Sequence, residues 1–68
     1  MLILLDTRTE ILIAKFVDEK IARIAARTLS RALRRPLTLA LNEAAKIPIA
    51  RYCDGEEVHT TATIHYLT

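Results

Sequence analysis

Short runs of hydrophobic residues separated by polar segments dominate the first part of the chain. Residues 2–5 and 11–17 are rich in Ile, Leu, Val and Phe, and the stretch between them, residues 6–10, is polar. Such runs, bounded by turn-forming residues, are typical of β-strands. The pattern therefore predicts a hairpin at the start of the chain.

A helix is predicted over residues 18–35. Asp18 has the side chain preferred at a helix N-cap, and Glu19 adds negative charge to the first turn. Pro36 should end the helix, because the residue before a proline is pushed out of the helical region. At about 100° per residue, one side of this helix is apolar and should pack on the sheet. That side consists of Ile21, Ala22, Ala25, Ala26, Leu29, Ala32 and Leu33.

The opposite side of the predicted helix is strongly basic. The chain carries a net charge of +2, but the stretch 20–35 alone carries +6 and contains no acid, so the remaining residues sum to −4. The same helical geometry places the basic side chains within roughly a third of the circumference, with an isoleucine among them. These residues are our candidate partner-binding site: Lys20, Arg23, Ile24, Arg27, Arg31, Arg34 and Arg35.

The segment after the helix has two possible structures. Residues 37–41 alternate as a half-buried strand should, with three leucines on one face. Alternatively, Thr38 could cap a short second helix running to Lys46, with Pro48 closing it, since most residues there are tolerable helix formers. We favour the strand.

A second hairpin is predicted from residues 47–53 and 56–67. They flank Asp54-Gly55, a dipeptide preferred in two-residue hairpin loops because both residues can adopt positive φ. We see no internal repeat in the sequence. The order β-β-α-β-β-β predicts one α+β domain over residues 1–68, with one helix packed on a mostly antiparallel sheet.

The predicted strands are apolar on both faces, although one helix covers only one side of a sheet. Within residues 11–17, for example, both alternating sets of positions are apolar apart from Lys15. We therefore expect leftover apolar surface, which would serve a partner, form a homodimer or be buried as the strands curl into a partly closed barrel.

Composition indicates a cytoplasmic protein without disulfides. Cys53 is the only cysteine in the 68 residues, so no intrachain disulfide is possible. The apolar run at residues 2–5 stops at Asp6 and is far shorter than a signal-peptide core or a membrane span. We expect no membrane association.

No enzyme motif, phosphate-binding loop or zinc spacing is present in the sequence. Cys53, His59 and His65 lack the closely spaced ligand pairs that zinc sites usually show, so we assign them structural or surface roles. The sequence therefore predicts a binding protein, not an enzyme, with no cofactor and no metal.

The basic helix face is the best candidate for function. A solvated face that keeps the protein soluble is the simpler interpretation. However, arginine outnumbers lysine there by five to one, and its guanidinium forms fork-shaped contacts with carboxylates and phosphates. Phe16, Tyr52 and Tyr66 are the only aromatic residues, so a stacking platform for single-stranded nucleic acid is poorly supplied. We therefore favour a protein partner, bound by this face or by an open strand edge whose main-chain hydrogen bonds would hold an extended peptide. Nucleic-acid binding and self-association are the alternatives.

The opening of the chain is Met1-Leu2-Ile3-Leu4-Leu5-Asp6-Thr7-Arg8-Thr9. In this opening, in its size and in its lack of catalytic motifs, the chain resembles the small regulators that lytic bacteriophages, including phages of Xanthomonas, make to bind host RNA polymerase. The resemblance implies a viral protein of the host cytoplasm that binds polymerase, interferes with initiation and promotes readthrough of terminators. It assigns no binding residue to positions in this chain.

The order β-β-α also resembles the DNA-reading arm-binding domains of integrases, which place a sheet in the major groove. Here the positive charge lies on the predicted helix instead of the strands, which departs from that pattern.

Overall fold

A computed structural model describes residues 1–58 and confirms the predicted α+β architecture, with one helix packed on a five-stranded antiparallel sheet. The predicted last strand lies outside the described residues from residue 59 onward, as do His59, His65 and Tyr66. The sheet order is β2-β1-β3-β4-β5. The elements are β1 (Leu2–Asp6), β2 (Leu12–Phe16), α1 (Glu19–Leu33), β3 (Leu37–Leu41), β4 (Ile47–Cys53) and β5 (Glu56–Val58).

Helix α1 begins as predicted and ends two residues earlier than predicted. Asp18 is the N-cap, and its Oδ1 accepts hydrogen bonds from the backbone N–H groups of Lys20 (2.7 Å) and Ile21 (3.3 Å). Arg34 is the C-cap in the left-handed conformation, with φ of 53°. Arg34 and Arg35 therefore lie outside the helix. Among the described residues, no helix has the length and apolar character required to cross a membrane.

The face of α1 that packs on the sheet differs from the predicted one. Its buried residues are Ala22, Ala26 and Ser30, while Ile21 and Leu33 are 57% and 46% exposed. Ala32 is exposed as well, so the prediction was wrong for these three residues and right for the buried alanines. The reason is that the sheet supplies the bulk of the core. Small helix residues let the backbone approach fully buried sheet side chains, which include Leu4, Leu37, Leu39 and Tyr52.

Apolar residues at the centre of the sheet's other face are also buried. Ile3, Leu5 and Ala40 form a second buried cluster there. Apolar surface nevertheless remains exposed among the described residues, as expected from the sequence. Its most exposed members include Ile11, Val17, Ile21 and Ile24.

The alternative of a second helix after Thr38 was wrong. Residues 37–41 form β3, which pairs with both β1 and β4, so pairing on both sides outweighs the helical propensity of the segment. The residues that follow form a turn in which Asn42 Oδ1 accepts hydrogen bonds from the N–H groups of Ala44 (2.8 Å) and Ala45 (3.0 Å).

The structure contains a repeated hairpin, contrary to the expectation of no repeat. The pairing of β1 with β2 matches that of β3 with β4 position by position, and each hairpin has one irregularity at the same place. The four pairs of the first hairpin are Leu2↔Phe16, Ile3↔Lys15, Leu4↔Ala14 and Leu5↔Leu12. In the same order, they correspond to Leu37↔Tyr52, Thr38↔Arg51, Leu39↔Ala50 and Ala40↔Pro48 of the second hairpin.

The antiparallel pair Leu4↔Leu39 lies at the centre of this arrangement, so an approximate two-fold axis there relates the hairpins. The connecting loops also match. Asp6 and Asn42 each accept two backbone N–H groups from the residues two and three positions later. The second hairpin has one extra residue, at Leu41, between the matched strand and the matched loop.

Candidate functional site

The outer surface of α1 and the β4–β5 turn form an open groove of about 530 Å³. We call it the arginine groove. Ile24, which is 58% exposed, lies in it beside two arginines of the predicted basic face. Its lining residues are Ile24, Arg27, Thr28, Arg31, Ala32 and Gly55.

The groove exists because the β4–β5 turn is fastened to the helix. The N–H of Gly55 donates to Ser30 Oγ (2.9 Å), and the Ser30 hydroxyl donates to the carbonyl of Arg27 (3.1 Å). Asp54 and Gly55 adopt φ of 52° and 83°, which confirms the turn predicted from the sequence. Ser30 was not predicted to be buried, yet it is fully buried and joins two elements of the site.

Gly55 also allows Arg31 to lie directly against the turn. A Cβ atom at Gly55 would lie 2.7 Å from Arg31 Nε, so only a glycine leaves room for the guanidinium in this position. Arg31 is therefore held where the helix and the turn meet.

A second depression of about 510 Å³ lies at the end of α1 and shares Arg31 with the arginine groove. We call it the arginine pocket. Four arginines and one aspartate line it, so the residues around it carry a net positive charge. The lining residues are Arg8, Arg31, Arg34, Arg35, Pro36, Cys53 and Asp54.

Asp6 organises one wall of the arginine pocket. Its Oδ1 accepts the backbone N–H of Arg8 (2.8 Å), and its Oδ2 accepts a hydrogen bond from Arg35 Nη1 (2.9 Å). The hydrogen bond from Arg35 lowers the pKa of Asp6, as does the bond from the Arg8 backbone. The carboxylate therefore stays ionised and positions two of the four arginines.

Arg8 was missed by the sequence analysis. It lies in the polar stretch between the first two strands, far from the basic stretch in sequence. No local pattern distinguishes it from an ordinary turn residue. Only the packing of the β1–β2 loop beside the end of α1, shown by the Thr7 N–H donating to the carbonyl of Pro36 (2.9 Å), places it near the other arginines.

Arg23 does not take part in either depression. Its Nε donates to Glu19 (2.9 Å), and its Nη1 donates to Tyr52 Oη (3.2 Å) and to Glu57 Oε1 (3.0 Å). The pKa of Arg23 is raised, chiefly by the hydrogen bond to Glu19. Burial raises the pKa of the Tyr52 hydroxyl, which donates to Glu57 (2.9 Å). This network fastens α1 to β4 and β5.

The structure thus divides the predicted basic face. Ile24, Arg27 and Arg31 line the arginine groove, and Arg31, Arg34 and Arg35 line the arginine pocket. Lys20 is exposed near the start of α1 and lines neither.

The two depressions are suited to binding carboxylates or phosphates next to an aliphatic surface. Guanidinium groups form bidentate, charge-assisted hydrogen bonds with such oxyanions. Ile24 and Ala32 add apolar contact area within the same groove. Comparison with protein-family models, curated protein sequences and solved structures finds no match for this chain.

Proposed function

We propose that the protein regulates transcription by binding an acidic segment of a larger protein through the arginine groove and the arginine pocket. The observation that carries the proposal is that Arg31 lines both depressions. Arginines from α1, from the segment that follows it and from the β1–β2 loop therefore line one continuous surface. A partner segment several residues long can contact all of it.

The mixture of charge and apolar surface favours a protein partner. Interfaces between proteins are enriched in arginine and place aliphatic or aromatic anchors among polar groups. The exposed Ile24 beside Arg27 and Arg31 has this character. Among residues 1–58, no aromatic side chain lines either depression, so these residues offer no support there for stacking of unpaired bases.

Bacterial RNA polymerase is the partner we propose. This step is supported by the resemblance of the opening residues, Met1 to Thr9, to phage regulators that bind the host enzyme. The protein would act in the host cytoplasm, inhibit initiation and promote readthrough of terminators.

A binding measurement with purified bacterial RNA polymerase and the immobilised full chain tests this function. Arg31→Glu should weaken binding by at least about tenfold, because it reverses the charge shared by both depressions. Arg51→Glu is the matched control, since Arg51 is also exposed, lines neither depression and undergoes the same charge change. Equal loss in both variants, or no binding of wild type, would contradict the proposal.

Nucleic-acid binding is the second candidate, favoured by the four guanidinium groups of the arginine pocket. Binding to phosphates releases counterions, so the affinity for duplex DNA would fall steeply as salt increases. If duplex DNA binds with that dependence, Arg31→Glu abolishes it and polymerase does not bind, this alternative replaces the first.

A further inference from the structure

The charges around the arginine pocket do not cancel. Four arginines line it, and the carboxylates in or beside it are Asp54, which also lines it, and Asp6, which accepts a hydrogen bond from Arg35. Four positive charges against two negative charges leave a formal net charge of +2. Residues 59–68 contain no Asp or Glu, so no side-chain carboxylate of that segment lowers this charge. A ligand with two negative charges would therefore balance the pocket.

Most of these arginines are able to donate to a ligand. Arg35 already donates to Asp6 at 2.9 Å. The other three form no ion pair with a carboxylate of residues 1–58, and they are Arg8, Arg31 and Arg34. Their guanidinium groups suit an oxyanion, with which arginine forms charge-assisted, bidentate hydrogen bonds.

The fold brings these arginines together before a ligand binds. Arg34 ends α1 with φ of 53°, so the chain leaves the helical path at that residue. Asp6 accepts the backbone N–H of Arg8 at 2.8 Å as well as the bond from Arg35, which joins the β1–β2 loop to the segment after the helix. A site whose groups are already positioned loses less entropy when it binds its ligand.

We propose that the arginine pocket binds the phosphate group of a phosphorylated side chain in a protein partner. Such a phosphate carries a charge of about −1.5 to −2 at pH 7 and three strong acceptor oxygens, which matches the charge and the donors of the pocket. A carboxylate or a nucleic-acid phosphodiester carries one negative charge and would leave the pocket positive. Clusters of arginine are a recurring means of recognising phosphorylated segments.

The neighbouring arginine groove favours a protein as the carrier of this phosphate. Arg31 lines both depressions, and Ile24 and Ala32 supply apolar surface in the groove. Residues on either side of a phosphorylated side chain can contact that surface, whereas a free phosphate ion has no group that reaches it. The inference rests on the proposed function, because it names the chemical group that the partner places in the arginine pocket.

The test compares three capped peptides, each titrated into the ¹⁵N-labelled full chain at one ionic strength. Their sequence is Gly-Leu-Ala-X-Ala-Leu-Gly, where X is phosphoserine, glutamate or serine, and the leucines on both sides leave the direction of binding open. We expect the phosphoserine peptide to bind at least tenfold more tightly than the glutamate peptide, a difference of about 1.4 kcal/mol, and the serine peptide to bind most weakly. Amide shifts should centre on Arg8, Arg31, Arg34 and Cys53.

Substitutions that change the charge of the pocket should change the preference for phosphoserine over serine. Arg8→Gln and Arg34→Gln alter the pocket and not the groove, and each should lower this preference by at least about threefold. Asp54→Asn removes a negative charge at a position where asparagine also adopts positive φ, and should raise the preference. Arg27→Gln is the matched control, since Arg27 lines only the groove, and should leave the preference unchanged. Because the preference is a ratio measured within one variant, a change in stability does not alter it.

Several results would overturn the inference. They are equal binding of the phosphoserine and glutamate peptides, an unchanged preference in Arg8→Gln and Arg34→Gln, and shifts centred on residues 59–68. Inorganic phosphate that binds as tightly as the phosphopeptide would assign the pocket to a free ion. Duplex DNA that binds more tightly than the phosphopeptide, with the same loss in Arg8→Gln, would assign it to nucleic acid. Each of these two results would also overturn the inference.

The measurement with RNA polymerase separates this inference from the proposed function. If polymerase binds wild type and not Arg31→Glu, while the peptides show no preference for phosphoserine, only this inference is wrong. If the preference for phosphoserine is found and polymerase does not bind, only the assignment of polymerase as the partner is wrong.

Discussion

Gly55→Ala tests how the β4–β5 turn builds the arginine groove. Gly55 has φ of 83°, a left-handed conformation that alanine adopts only with strain. The added methyl group would also lie 2.7 Å from Arg31 Nε. The substitution therefore combines backbone strain with displacement of one guanidinium.

The two effects have different sizes. Strain in the left-handed conformation destabilises alanine by about 1–2 kcal/mol. The reduced conformational freedom of the unfolded chain offsets about 0.4–1 kcal/mol, so we expect the free energy of unfolding to fall by about 1 kcal/mol. The clash involves the far end of a flexible side chain, which can move at little cost. For a domain of this size, that loss lowers the melting temperature by roughly 4–8 °C.

A double-mutant cycle with Arg31→Ala separates these effects. The free energies of unfolding from urea titrations of wild type, both single variants and the double variant should be additive within about 0.5 kcal/mol. Partner binding should nevertheless weaken in Gly55→Ala, because the guanidinium has moved. A loss above about 3 kcal/mol that vanishes in the Arg31→Ala background would refute this reasoning, since Arg31 would then be a rigid structural element and not a side chain available to a partner.

Three further substitutions test the fold around the site. Leu4→Ala, at a fully buried position, should lower the free energy of unfolding measured by urea denaturation by about 2–5 kcal/mol. A decrease below about 1 kcal/mol would show that the core is elsewhere. Asp6 has a lowered pKa, so its stabilising contact with Arg35 is present near neutral pH and is lost as pH falls below about 4. The melting temperature should therefore fall less between pH 7 and pH 3 for Asp6→Asn than for wild type. Parallel curves of melting temperature against pH would contradict the ion pair. Ser30→Ala leaves the Gly55 N–H without its acceptor and should cost about 1 kcal/mol, whereas unchanged stability would mean that the turn is held by other contacts.

Local sequence patterns were sufficient to predict most of the secondary structure. The hairpin turn at Asp54-Gly55 and the N-cap at Asp18 depend on conformations set by one or two residues, and the structure confirms both. Which face of α1 packs on the sheet depends instead on the side chains that fill the core. Ile21 is more hydrophobic than Ala22, but the leucines of β1 and β3 leave space only for the smaller residue.

The candidate site was only partly predictable for a similar reason. Arg27 and Arg31 share a helix face, so their spacing was enough to place them together. Arg8 joins the arginine pocket through a long-range contact that no sequence window contains. The repeated hairpin has no fixed period in the sequence, because the extra residue at Leu41 shifts the second copy by one position within the strand-loop unit.

The most direct test of the central claim is cross-saturation NMR on the ¹⁵N-labelled full chain in the presence of purified bacterial RNA polymerase. This measurement identifies the amides that lie closest to the bound partner. We predict the strongest signal loss at Ile24, Arg27, Thr28 and Gly55, around the arginine groove. Signal loss confined to the opposite side of the sheet, at Thr38 and Arg51, would contradict the account.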